Sequence, residues 1–171
     1  MTQEAATIDR IPEDALLRKA WEAAAAVPDP EIPVVTVADL GILREVRLED
    51  GVAVARVSPT YSGCPATQLI ETAIAAALEK AGFRARIERV LSPPWTTDWI
   101  TEEGREKLRA FGIAPPERAA GKRALFGEGR VACPRCGSDD TERVSEFGST
   151  PCKAHYRCRT CGEPFDHFKC I

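Results

Sequence analysis

The chain has 171 residues, 44% of them hydrophobic, and a formal net charge of -3. This length is enough for one domain of ordinary size and a smaller second domain. The slightly negative charge gives no general attraction to phosphate backbones or anionic lipids, so neither nucleic acid nor a membrane is an expected partner. No stretch approaches the roughly 18 apolar residues of a membrane span, and no signal-peptide pattern is visible, so we expect a cytoplasmic protein.

The first part of the chain predicts a leader, a helix and a proline-rich turn. Residues 1–10 are predicted to form a flexible leader. The Ala- and Leu-rich stretch after Pro12 predicts a helix, with the acidic residues Glu13 and Asp14 in its first turn. The segment PDPEIPV over residues 28–34 cannot continue a helix and is expected to be extended and turning.

Alternating and helical patterns then predict a small sheet covered by helices. Apolar and polar residues alternate on both sides of Glu49-Asp50-Gly51, which is typical of a hairpin. Apolar residues recur at helical spacing after Pro65 and alternate again after Gly82. The resulting fold class is α+β, with a small mixed sheet. The predicted elements are strands at 42–48, 52–58 and 83–91, and a helix from Pro65 to Ala81.

A third helix is expected to close the first domain. Trp95 and Trp99 are expected to be anchors in the domain core. A short helix from about Thr101 to Phe111 follows, with Asp98 or Thr101 as its N-cap. The chain is thereby divided into an α+β domain over 11–114, a linker over 115–130, and a cysteine-rich domain over 131–171.

The cysteine-rich tail carries the strongest chemical signal in the sequence. Two C-x2-C pairs are separated by 21 residues, and each pair is followed by glycine. This arrangement predicts a zinc ribbon, because the turns aim two sulfurs each at one cation. So short a segment cannot bury enough core to fold alone, so the metal would supply stability. The predicted structural zinc ligands are Cys133, Cys136, Cys158 and Cys161.

Four more potential ligands lie in the same tail: Cys152, His155, His167 and Cys170. They could form a second mixed metal site, or the two cysteines could complete or exchange ligands of an iron-sulfur cluster. Alternatively, both cysteines pack beside the ribbon and both histidines are exposed. Neither histidine is assigned as a ligand. Six basic and six acidic residues cancel over 133–171, which favours a protein-docking surface over a nucleic-acid surface.

Cys64 is separated in sequence from all other cysteines and precedes Pro65 at the predicted start of a helix. Backbone amides and the helix dipole would favour its thiolate there, making it a nucleophile or a soft-metal ligand. The alternative is a small buried hydrophobic residue. Because no histidine lies in the first 130 residues, a Cys/His enzyme is less favoured. The acids Asp29, Glu31 and Asp39, which lie earlier in the chain, are either turn formers or functional contacts.

Several motifs resemble known iron-sulfur assembly factors. The segments DPEIPVVTVADLGIL, PTYSGCPAT and PPWTTDWITEEGREKLRAFGIAPP resemble the small domain of SufT-like and eukaryotic cytosolic iron-sulfur assembly factors. Together with CPRCGS and SEFGSTPCKAHYRCRTCGEPFDHFKC, they make residues 27–171 similar to the PaaD family, also called PaaJ. Members of that family are accessory subunits of the bacterial ring 1,2-phenylacetyl-CoA epoxidase system.

The resemblance implies an accessory or maturation role in aerobic phenylacetate degradation, without independent enzymatic activity. It implies that Cys64 is the functional thiol and a transient ligand of iron or an iron-sulfur cluster, with Asp29 and Glu31 near it. Cys152 and Cys170 are second-tier candidates. The implied partners are the iron-sulfur flavin reductase and the di-iron oxygenase. The alternatives are a structural or regulatory subunit that transfers no metal and, less favoured, a Cys64-dependent enzyme.

Overall fold

The computed structural model describes residues 14–61, 63, 65–117 and 130–169. These residues form an α+β fold with two small sheets and three helices. No helix in the described ranges has both the length and the apolar character needed to cross a membrane. The helices are α1 (Ala15–Ala25), α2 (Thr67–Lys80) and α3 (Glu102–Ala110), and the strands are β1 (Leu43–Glu49), β2 (Val52–Val57), β3 (Arg84–Arg89), β4 (Ile113–Ala114), β5 (Thr141–Ser145), β6 (Lys153–Cys158) and β7 (Pro164–Phe168).

The first sheet has the strand order β1-β2-β3 and confirms the predicted hairpin and crossover. Strands β1 and β2 are antiparallel and are joined by Asp50 and Gly51, both with positive φ. Strand β3 is parallel to β2, as expected when a helix such as α2 makes the connection. One apolar face of α2, formed by Ile70, Ile74 and Leu78, is buried in the core. The sheet therefore has its helices packed on a shared hydrophobic core.

The helix starts differ in part from the sequence expectation. Helix α1 is capped by Asp14, whose carboxylate accepts hydrogen bonds from two backbone N–H groups at 2.9 Å. Helix α2 begins at Thr67, so Pro65 precedes the helix and is not its first residue. Cys64 lies outside the described residues, so the activation of its thiol by the helix dipole stays a prediction.

Helix α3 and the preceding tryptophans close the first core. Trp95 is buried, and its indole Nε1 donates a hydrogen bond to the carbonyl of Leu40 at 2.8 Å. The N-cap of α3 is Thr101, whose hydroxyl accepts from Gly104 N at 3.0 Å. Asp98 lies instead in the short 3-10 turn Thr97–Trp99 before the helix. Trp95 is therefore an anchor of the domain core, as predicted.

The second sheet has the strand order β4-β7-β6-β5 and joins the two halves of the chain. Strand β4 follows α3 in the first half, yet it pairs in parallel with β7 near the end of the chain. At the end of β7, Phe168 is only 1% exposed, and its ring centroid lies 6.2 Å from that of Trp95. The cysteine-rich half is thus packed against the first core through both backbone pairing and aromatic contact.

The predicted leader over 1–10 lies outside the described residues. So does most of the predicted linker over 115–130, namely residues 118–129.

Candidate metal sites at the ribbon and the domain junction

Four sulfurs form the first candidate site, at the end of the ribbon. The sulfur atoms of the four paired cysteines all lie within 4.8 Å of one another, so they form a metal-binding group. The Cys133 and Cys161 sulfurs are 3.8 Å apart, and those of Cys136 and Cys158 are 3.6 Å apart. A tetrahedron with metal–sulfur bonds of about 2.3 Å has edges of about 3.8 Å. The site therefore has the size that a tetrahedral zinc ion needs.

The turns that carry these cysteines are suited to thiolate ligands. Gly137 and Gly162, directly after each pair, have φ of 74° and 79°, which only glycine adopts readily. The backbone N–H of Cys161 donates to the Cys158 sulfur at 3.5 Å. This N–H, together with that of Thr160 and the neighbouring thiols, lowers the pKa of Cys158 to about 6. Against a backbone hydrogen bond at Ser138, burial and the neighbouring thiols raise the pKa of Cys136 to about 12, so the turn favours the thiolate at Cys158.

Neither tail histidine belongs to a metal-binding group within the described ranges. His155 faces Asp166, with 3.2 Å between Nδ1 and Oδ1. His167 lies 3.1 Å from the carbonyl oxygen of Ala114 through Nδ1 and packs edge-on against Tyr156. Burial lowers the pKa of His167 to about 4, so the ring is neutral at physiological pH. The expectation that both histidines are exposed is therefore wrong for His167, which docks β7 against β4.

The second candidate site begins with the turn formed by the DPE motif. Asp29 is only 6% exposed, and its Oδ1 accepts hydrogen bonds from the backbone N–H groups of Glu31 and Ile32, each at 2.8 Å. Burial raises the pKa of Asp29, while those two N–H groups and the ammonium of Lys153 oppose the rise. The turn thereby fixes one buried carboxylate.

A cavity lies at the junction of the two halves. Asp29 and Glu31 line it, together with Thr60 from the motif that contains Cys64. The ribbon half contributes Cys152 and Phe168 to the same cavity. Because these residues are distant in sequence, only the docking of the ribbon on the first domain brings them together. The complete lining is Asp29, Glu31, Ile32, Leu40, Ile42, Val57, Pro59, Thr60, Thr67, Ile70, Glu71, Cys152 and Phe168.

Cys152 is the thiol that the structure places in this cavity. It is only 6% exposed, and its sulfur lies 3.6 Å from Glu31 Oε2 and 3.0 Å from the hydroxyl of Thr150. Burial raises the pKa of Cys152 to about 11, and the charges of Glu31 and Asp29 act in the same direction. At neutral pH the thiol is therefore protonated and donates to the Glu31 carboxylate. The expectation that Cys152 packs beside the ribbon describes only part of its surroundings, since its side chain also belongs to the buried cluster of the first domain. Its roles in metal binding stay predictions.

The residue after Cys152 adds a buried positive charge. Lys153 is almost fully buried, and its Nζ lies 3.4 Å from Asp166 Oδ2. Nothing in the sequence distinguishes this lysine from the exposed ones, because its burial depends on how the ribbon docks. Cys64 and Cys170, two of the predicted site residues, lie outside the described part of the chain.

Comparison with known proteins agrees with both halves of the molecule. Residues 18–89 match a family model described as iron-sulfur cluster assembly protein. Residues 117–169 match a family model described as PaaD zinc beta ribbon domain. An Escherichia coli (strain K12) protein is 49% identical over 152 residues, which cover 88% of this chain and 91% of that protein. Its name assigns it, provisionally, as one of the subunits of 1,2-phenylacetyl-CoA epoxidase.

Two solved structures align with part of this chain. A Bacillus anthracis domain of unknown function, DUF59, aligns with a TM-score of 0.51 and 24% identity, covering 55% of this chain and 92% of that one. This likeness supports the fold alone. A Mycobacterium tuberculosis protein, described as associated with Fe-S complex assembly and repair, is 38% identical, with a TM-score of 0.34, over 66% of this chain and 94% of that one.

The extent of the match to the Escherichia coli protein settles the family, because it spans both domains. The chain belongs to the PaaD family of 1,2-phenylacetyl-CoA epoxidase components, which joins an iron-sulfur cluster assembly domain to a zinc ribbon.

Proposed function

We propose that this chain is an accessory protein that helps to assemble the iron or iron-sulfur centre of another subunit in the phenylacetyl-CoA epoxidase system. The observation that carries the proposal is the junction cavity, where carboxylates of the iron-sulfur assembly domain meet a thiol of the ribbon. Thiolates and carboxylates together suit iron, which accepts both soft and hard ligands. A structural role alone would not require such a donor set at the domain junction.

In this proposal, Cys64 is the functional thiol and holds iron only transiently. Its motif begins at Thr60, which lines the cavity beside Asp29 and Glu31. Transfer to a partner is an exchange of ligands: the partner's side chains replace those of this chain on the iron, and no electron needs to move. The four ribbon cysteines hold a structural zinc that does not take part in the exchange.

The partners are proposed from the family. The Escherichia coli relative is named as a component of the epoxidase, which supports binding to other subunits of that system. Among them, we propose the iron-sulfur flavin reductase and the di-iron oxygenase as recipients. In this proposal, the ribbon domain also supplies a surface for docking to these partners. Its basic and acidic residues balance over 133–171.

The experiment that tests this function measures iron in the recipients. Cells that make the epoxidase subunits together with Cys64→Ala should yield reductase or oxygenase with several-fold less iron than cells with the unmodified chain. The reason is that a relay without its thiol cannot hold iron for transfer. Metal analysis of the purified subunits provides the measurement, and the variant itself should retain its zinc. A matched control is Gln68→Ala, an exposed substitution on the nearby helix α2.

The result that would overturn the proposal is full iron content in both recipients from the Cys64→Ala strain. If epoxidase activity were then lost only when the chain is omitted from the assay, a structural or regulatory subunit would replace the assembly role.

A further inference from the structure

Lys153 is a buried cation at the junction of the two domains. It is only 6% exposed, although lysine is almost never buried without a charged partner. It follows Cys152, whose sulfur lies 3.6 Å from Glu31 Oε2 in the assembly domain. In the register of the ribbon sheet it is opposite Phe168, which contacts Trp95 of the first core. Because opposite residues share one face of a sheet, Lys153 lies on the face of the ribbon that packs on the assembly domain.

Within the ribbon, Lys153 is paired with Asp166, which has further donors around it. Lys153 Nζ lies 3.4 Å from Asp166 Oδ2, and the hydroxyl of Ser149 donates to the same oxygen at 3.3 Å. His155 Nδ1 lies 3.2 Å from Asp166 Oδ1. A Cβ atom at Gly148 would lie 2.9 Å from this Oδ1 and 3.3 Å from the Lys153 Cβ, so glycine leaves room for both side chains. The Asp166 carboxylate therefore does not depend on Lys153 alone.

The carboxylate of Asp29, in the assembly domain, depends more strongly on this lysine. Asp29 is 6% exposed, and its Oδ1 accepts the backbone N–H groups of Glu31 and Ile32. Burial raises the pKa of Asp29, and the charge that opposes this rise is that of Lys153. A buried carboxylate is costly unless hydrogen bonds and a cation compensate it. Since the two residues belong to different domains, this compensation exists only when the ribbon is docked.

We propose that Lys153 is a positioning residue for the assembly domain: its ammonium compensates the buried carboxylate of Asp29 and thereby holds the ribbon against the DPE turn, residues 29–31. The ribbon then has a task beyond binding zinc, because it completes the charge balance of this turn. The importance of this task for iron transfer rests on the proposed assembly function. The coupling between the two charges can be tested without iron.

The first test measures how often the junction opens. The purified, zinc-loaded full-length chain is treated with iodoacetamide, and mass spectrometry follows alkylation of the peptide that carries Cys152. This thiol is buried, so it reacts when the ribbon moves away from the first domain. Lys153→Met removes the charge but keeps an unbranched side chain. It should raise the alkylation rate of Cys152 at least about fivefold, because the charge of Asp29 is left uncompensated.

A second substitution separates a charge effect from a loss of packing. Asp29→Asn removes the negative charge, while its Oδ1 can still accept the two backbone hydrogen bonds. Added to Lys153→Met, it should lower the alkylation rate at least about threefold relative to Lys153→Met alone. Asp166→Asn in the same background should change the rate less than about twofold, because Asp166 keeps its other donors.

Lys107 provides a matched control in the first domain. Its Nζ lies 3.0 Å from Asp39 Oδ2, so it pairs with the carboxylate of a different turn. Lys107→Met should leave the alkylation rate of Cys152 within about twofold, and Asp29→Asn should act equally with or without it.

Two results would overturn the proposal. One is an unchanged alkylation rate in Lys153→Met, and the other is an effect of Asp29→Asn that is the same with and without Lys153. If Lys153→Met alone does not fold, circular dichroism of the double variant with Asp29→Asn decides the matter. Recovery of the native spectrum supports the coupling, whereas a double variant that is equally unfolded contradicts it.

This proposal and the assembly function can fail separately. If Asp29 and Lys153 are coupled but recipients from the Cys64→Ala strain keep all their iron, the assembly function fails and the positioning role stands. If the recipients lose iron but Asp29→Asn acts independently of Lys153, the assembly function stands and the positioning role fails.

Discussion

At the scale of single residues, chemically similar side chains have different tasks, and the difference depends on what surrounds them. Asp39 accepts a hydrogen bond from Thr36 N at 2.8 Å and pairs with Lys107 at 3.0 Å, so it stabilises a turn and fastens it to α3. Asp29 forms a similar turn but also lines the junction cavity. The sequence could indicate that both were turn formers, but it could not distinguish the one that faces a cavity.

His167 predicts a pH dependence of stability that belongs to this scale. Its folded pKa of about 4 lies below the ordinary value of 6.5, so the unfolded chain binds more protons between these values. The stabilisation is therefore complete above about pH 6.5 and decreases as the pH falls toward 4. When the pH is lowered from 7.5 to 5.5, the titration of His167 should decrease the unfolding free energy by about 1 kcal/mol.

The measurement is urea unfolding of the zinc-loaded chain at both pH values, compared with His167→Gln. Glutamine can keep a hydrogen bond to the Ala114 carbonyl but does not titrate. As the pH is lowered, the unfolding free energy of the variant should decrease by about 1 kcal/mol less than that of the unmodified chain. Identical losses in the two proteins would show that His167 is not the titrating group.

At the scale of elements, helix α3 illustrates how docking overrides intrinsic propensity. The start of this helix contacts the backbone of the turn before β1, where Thr101 N donates to the Asp39 carbonyl at 2.8 Å. Gly104 faces the same loop, and a Cβ atom there would lie 2.9 Å from the Asp39 carbonyl oxygen. The residue is glycine because the helix and the loop backbone approach so closely.

Gly104→Ala should therefore destabilise the protein, although alanine is the better helix former by about 1 kcal/mol. We expect a net loss of about 1–2 kcal/mol, because the contact with the Asp39 backbone forces the helix to move. Urea unfolding monitored by circular dichroism provides the measurement. Glu106→Ala, on the exposed face of the same helix, should change stability by less than about 0.5 kcal/mol. A stabilised Gly104→Ala variant would contradict the close approach.

At the scale of the whole molecule, the ribbon is an integral part of the first domain's packing. Strand β4 pairs with β7, and Phe168 and Cys152 belong to the same buried cluster as the core of the assembly domain. Ribbon folding, which the metal supports, is thereby coupled to the shape of the junction cavity. All three tryptophans lie before the ribbon, at positions 21, 95 and 99, so their fluorescence reports on the first domain.

Removal of zinc with a chelator should change the tryptophan emission, even though the four cysteines lie in the other domain. The change is expected because loss of the metal loosens the ribbon and withdraws Phe168 from the ring of Trp95. Fluorescence during chelation, followed by addition of zinc to restore the signal, provides the measurement. The response should persist in Trp99→Phe and largely disappear in Trp95→Phe. If metal analysis shows that all the zinc has been lost and the emission spectrum is nevertheless unchanged, the two domains are not coupled.

Much of the fold was predictable because local patterns encode it. Alternation on both sides of Glu49-Asp50-Gly51 and helical spacing after Pro65 are properties of adjacent residues, and they predicted the first sheet and helix α2. The boundaries were less secure, since α2 begins two residues after Pro65. The paired cysteines with their glycines likewise indicated a four-sulfur group, because the ligand spacing is itself local.

The sequence by itself determined the three helices, the strands of the first sheet, the paired cysteines and the family resemblance. Only the tertiary structure decided that β4 joins the ribbon sheet, that His167 packs against β4, and that Cys152 faces Glu31. The physical reason is that these features depend on how two segments that are distant in the chain pack against each other. Such a contact produces no periodic pattern in the sequence of either segment. The junction cavity is such a feature, since its thiol and its carboxylates are 121 positions apart in the chain, as measured from Glu31 to Cys152.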